Sequence, residues 1–92
     1  MRKFKFYVEF IYNGELYIGE IGHYEFLTPE ERKRYNVSRD HFLVHLFSPK
    51  EVVSLAICQN AAAPDIWEAE AAAGIKQELI SILGEKIAEY FL

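Results

Sequence analysis

The sequence predicts an α+β fold: an N-terminal antiparallel sheet, made of a hairpin plus one or two further strands with a short helix inserted, and C-terminal helices packed on one face of it. Three observations carry this. All nine alanines lie at or beyond Ala56, whereas eleven of the fourteen aromatic residues lie at or before Phe47. Aromatic and β-branched side chains suit a pleated surface and alanine has the highest helix propensity, so sheet chemistry precedes helix chemistry. Charge divides the same way, with eight Lys/Arg against seven Asp/Glu in residues 1–50 and two against seven in residues 51–92, which together give the net −4. At 92 residues one core is all the chain can build, and a single domain over 1–92 is expected.

Lys3 to Tyr12, Asn13-Gly14 and Glu15 to Ile21 read as a β-hairpin. Asn-Gly supplies the two positive-φ residues of a type I′ turn, and a two-residue loop pairs Tyr12 with Glu15, Phe10 with Tyr17, Val8 with Gly19 and Phe6 with Ile21. Alternation then puts Phe4, Phe6, Val8, Phe10 and Tyr12 on the core side and Lys3, Lys5, Tyr7, Glu9 and Ile11 on the other. Ile11, Leu16 and Ile18 meet on that second side, an apolar spot either covered by later chain or offered to a partner. Gly22 is expected to bend the chain, and His23 to Leu27 to continue as a third strand. Thr28-Pro29-Glu30-Glu31 carries an N-cap, a proline at the first helical position and a glutamate at the third, which predicts a short helix to about Tyr35.

After a loop at 36–40, Phe42 to Phe47 is too short for a helix and reads as a strand with Phe42, Val44 and Leu46 on one face. Ser48-Pro49-Lys50-Glu51 repeats the capping pattern and predicts a helix from Val52 to about Asn60, with a buried strand over Val52 to Cys58 as the competing reading. Pro64-Asp65 opens the last predicted helix, from Ile66 nearly to the end, with a bend at Gly74.

At 100° per residue that last helix has an apolar arc of about 180°, wider than the ~100° a helix on its own sheet needs. Ala73, Ile80 and Ile87 recur every seven residues, and Leu79, Leu83 and Tyr90 form a neighbouring stripe. The expectation is a homodimer, or contact with another protein, through Ile80, Leu83, Ile87, Tyr90 and Phe91, the alternative being that the preceding helix covers the second stripe.

The chemistry-bearing residues form no catalytic constellation, and a non-enzymatic role without a cofactor is expected. His41 and His45 share one side of a predicted strand, but a divalent metal site wants three or four ligands and no Cys/His set accompanies them. Cys58, the only cysteine, excludes an internal disulfide and follows Leu55, Ala56 and Ile57 in an apolar run that reads as buried. Gly14, Gly19 and Gly22 match no phosphate-binding loop, and the glutamate pairs fall where helix starts and solvated helix faces want charge. Arg32, Lys33, Arg34 and Arg39 make a nucleic-acid-binding regulator the alternative function, which a pI near 5.3 opposes. No apolar run reaches the ~18–20 residues of a membrane span, and Lys3, Lys5 and Glu9 interrupt the N-terminal aromatics, so a cytoplasmic, non-membrane protein is expected.

Overall fold

Asn13 and Gly14 take φ of 52° and 75° and close the first hairpin, which joins β1 (Lys5–Tyr12) to β2 (Glu15–His23) in the register that the turn dictates, from Tyr12 opposite Glu15 to Phe6 opposite Ile21. The computed structural model describes residues 5–70 and 75–91. β3 (Phe42–Phe47), β4 (Val52–Gln59) and β5 (Trp67–Glu70) follow in chain order, giving an antiparallel five-stranded sheet β1-β2-β3-β4-β5. α1 (Pro29–Arg34) lies between β2 and β3, and α2 (Gln77–Phe91) closes the described chain.

The pleat sorts the side chains onto two layers. Phe6, Ile21, Val44, Leu46, Leu55, Ile57 and Trp67 face α2, whose Ile80, Leu83 and Ile87 complete the main core. On the opposite face Leu43 and Ala56 are buried by Leu27 and Val37, which flank α1. Thr28 accepts a hydrogen bond from the Glu31 N–H while the Glu31 carboxylate accepts one from the Thr28 N–H, the reciprocal cap the sequence predicts.

Four expectations need correction. Gly22 stays within β2, and the chain turns after His23 through a 3-10 segment, Tyr24–Phe26, in place of a third strand at His23 to Leu27. Val52 to Gln59 is a strand and not a helix, the competing reading of that segment. It pairs along one edge with β3, from Phe47 opposite Val52 to Phe42 opposite Ile57, and along the other with β5. Trp67 to Glu70 is likewise a strand, so the last helix begins at Gln77 and not at Ile66. Gly74 and Ala73 lie outside the described residues, as do Lys3 and Phe4.

The fourth correction concerns the wide apolar arc of α2. Among the described residues this is the one helix on its face of the sheet, and it has to cover five strands without a neighbour. Both of its stripes are consequently used inside the chain. Leu79, Ile80, Leu83 and Ile87 are all buried, which removes Ile80, Leu83 and Ile87 from any surface offered to a second copy. Tyr90 is half-exposed and stacks on Phe6 with ring centroids 4.0 Å apart. The side chain of Phe91 lies outside the described set.

Candidate interaction surface

The face of the sheet turned away from α2 has three bands. Nearest α1, Leu43 and Ala56 are covered by Leu27 and Val37. Next comes a polar row across β1 to β4, Tyr7, Glu20, His45 and Ser54, set side by side by the strand registers. The Tyr7 hydroxyl donates to Glu20 at 3.0 Å, and His45 Nδ1 lies 2.7 Å from Ser54 Oγ. Tyr35, from the end of α1, packs edge-on against His45. The α1 layer stops there.

Beyond that row the face is apolar and open. Glu9, Ile18, Phe47 and Val52 align across the four strands, and Ile11 stands opposite Leu16 near the turn. Ile11 is 73% exposed, Leu16 47%, Phe47 40% and Val52 61%, with Ile18 half-buried between them. At ~180 Å² for each fully exposed large side chain these fractions leave roughly 400 Å² of apolar surface, inside the ~300–600 Å² of the largest patches on monomeric proteins, which are often functional. Glu9 is the one charged side chain in these two rows, and it stands on the edge strand β1. The sequence reveals Ile11, Leu16 and Ile18 as a spot without a fixed fate. Among the described residues nothing covers it, and Phe47 and Val52 enlarge it. Val52 is missed when Val52 to Asn60 is read as helix.

At the α1 end the electrostatics are settled within the chain. Lys5 Nζ lies 3.3 Å from Glu31 and 3.6 Å from Glu20, tying α1 to the sheet. Burial acts to lower the Lys5 pKa, but hydrogen bonding and charge from Glu31 and Glu20 outweigh it and leave the pKa raised. The Glu31 carboxyl is lowered, first by the hydrogen bond from the Thr28 backbone, against burial, with Lys5 assisting.

The other candidate residues are dispersed. Arg32 serves α1: its guanidinium lies 4.0 Å over the Tyr24 ring, Nε donates to the Tyr24 carbonyl at 3.1 Å and Nη2 to that of Glu25. Arg34 lies 5.8 Å over Tyr35, Lys33 is exposed, and Arg39 borders a cavity shared with Arg32 and Glu25. Arg32 and Arg39 thus share one cavity wall, while Lys33 and Arg34 are exposed on α1. His41 is buried, its backbone bonded to Ser38 and Tyr24, whereas His45 belongs to the open polar row. Among the described residues no three His, Cys, Asp or Glu side chains are grouped to hold a metal ion. Cys58, expected to be buried, is only half-buried.

No described helix is long and apolar enough to cross a membrane. Comparison of the chain with protein-family models, with curated proteins and with solved structures gives no match.

Proposed function

We propose that this chain acts through protein contact, assembling with a second copy of itself through the open apolar end of the sheet. The observation that carries this is the pair of cross-strand rows Ile11/Leu16 and Ile18/Phe47/Val52, in which all but the half-buried Ile18 stay exposed while every large apolar residue of α2 from Leu79 to Ile87, Ile82 excepted, is buried. Depletion of charge at the centre of a patch, with polar groups at its rim, is the composition of an interface core. A second copy brings the same rows and the same Glu9 at the periphery, so apolar surface meets apolar surface and both carboxylates stay in solvent. Two such patches contribute roughly 800 Å², and the polar row with its neighbours supplies the rim needed to approach the ~1,200–2,000 Å² of a stable pair.

Light scattering after size exclusion across a wide concentration range tests the reading. The wild-type chain is expected to approach twice its 10.7 kDa at high concentration. The double variant Ile11→Glu, Phe47→Glu is expected to remain at the single-chain mass with an unchanged circular dichroism spectrum. A wild-type mass of 10.7 kDa at every concentration would overturn the proposal.

A further inference from the structure

At the other end of the molecule, on the α2 side of the sheet, a cavity of about 440 Å³ opens where the ends of β2, β3 and β4 meet the start of β5. Its wall is a row of rings. His23 packs edge-on against Phe42 with centroids 4.8 Å apart, and Phe42 lies 6.2 Å from Trp67 at 60°. The rim is a loop braced by its own side chains. Asn60 Oδ1 accepts from the amides of Ala62 and Ala63, Asn60 Nδ2 donates to Glu68, and Gln59 Nε2 donates to the Pro64 carbonyl. The backbone of Asn60 and Ile66 closes the loop at 2.8 Å. The cavity is thus formed before any ligand arrives, and its volume falls within the ~300–1,000 Å³ usual for small-molecule sites.

Charge selects the ligand. Among the described residues Asp40 is the one carboxylate on the lining, and no lysine or arginine joins it there. No salt bridge engages Asp40 among the described residues. The Gln59 amide uses its N–H on the loop, which leaves its carbonyl oxygen as a second acceptor. Aromatic faces attract cations through their quadrupole, and the exposed Asp40 carboxylate on the same lining adds a Coulombic partner. We infer that this cavity binds a small organic cation, an amine or quaternary ammonium on a compact apolar frame, with the ammonium between Asp40 and the rings and the frame against Phe42, Trp67 and Pro64.

Trp67 is the only tryptophan in the chain and lines this cavity, so its fluorescence and its indole N–H resonance can be followed without interference from another indole. The experiment titrates benzylammonium chloride, with potassium chloride matching the ionic strength and benzyl alcohol as the neutral isostere. A saturable change in both Trp67 signals is expected for benzylammonium, with at least ~10-fold weaker binding of benzyl alcohol. Asp40→Asn, at an exposed position, is expected to keep the circular dichroism spectrum and to weaken benzylammonium several-fold. Equal binding of the alcohol and the cation, an affinity unchanged in Asp40→Asn, or no saturable response to benzylammonium would each overturn the assignment.

Discussion

The indole of Trp67 lies directly on Gly84, so that a methyl group built on Gly84 would clash with the ring's Cγ, Cδ1 and Cδ2 atoms. Gly84 is in the middle of α2, where alanine ordinarily gains ~1 kcal/mol over glycine in helix propensity. Here the sign is expected to reverse. Trp67 is only 4% exposed, held between α2 and Phe42, and has no room to withdraw. Overpacking of this kind costs ~1–3 kcal/mol or more, and a domain of this size loses roughly 4–8 °C in Tm for each kcal/mol. Gly84→Ala should therefore melt well below the wild type, with red-shifted Trp67 emission. A stabilised variant would show that β5 and α2 do not meet here.

The same geometry separates core from surface on two apolar residues of similar size. Leu83 is fully buried between α2 and the sheet, whereas Ile11 is largely exposed. Leu83→Ala should cost ~2–5 kcal/mol in urea unfolding, since it removes transfer energy and leaves a cavity. Ile11→Ala should stay within ~0.5 kcal/mol at concentrations where the chain is monomeric. Comparable losses at the two positions would mean that the open face is covered.

The first hairpin was legible because its signals are local: Asn13-Gly14 sets the register and the alternation Phe6, Val8, Phe10 sets the face. The second hairpin was not, because its turn imitates a helix start. Glu51 N donates to Ser48 Oγ at 3.2 Å, as in a capping box, while Ser48 N donates to the Glu51 carbonyl at 3.0 Å and closes a hairpin. Pairing on both edges then decides for strand. Ala56 is likewise misleading, since it is buried beneath Leu27 and Val37 on the face where the α1 layer packs. The short alternation Trp67 in, Glu68 out, Ala69 in was visible at period two, but the alanine-rich surroundings favoured helix. The open patch was half legible: the residues of the first hairpin appear in it, and those of the second depend on knowing that β4 is a strand. The cavity beside Trp67 needed tertiary structure, because His23, Asp40 and Gln59 are far apart in the chain.

Gly14 offers a test of the turn that is independent of packing. A side chain there meets no atom within 4 Å, so only its φ of 75° opposes substitution. Gly14→Ala should destabilise by ~1 kcal/mol through backbone strain, while leaving the chemical shifts of the α2 core unchanged. A neutral result would mean that the turn tolerates another type.

Glu31 links α1 to the sheet and should make stability depend on acid in a defined sense. Its folded pKa lies below the ordinary 4.5, through the Thr28 backbone first, against burial, with Lys5 adding to the effect. Below neutral pH the unfolded chain therefore binds the proton first, so this contribution is complete above the unfolded value and is lost as pH falls through the folded one. Lys5 runs the other way: its raised pKa gives a contribution complete below 10.5 and lost as pH climbs through the folded value. Glu31→Gln keeps a side chain able to complete the cap but removes the charge, whereas Thr28→Ala removes the cap and should cost ~1 kcal/mol. Urea midpoints of wild type and Glu31→Gln should differ by a constant amount from neutral pH down to the ordinary carboxylate range and converge below it. Curves that stay parallel throughout the acid limb would show that the Glu31 charge does not hold α1 to the sheet.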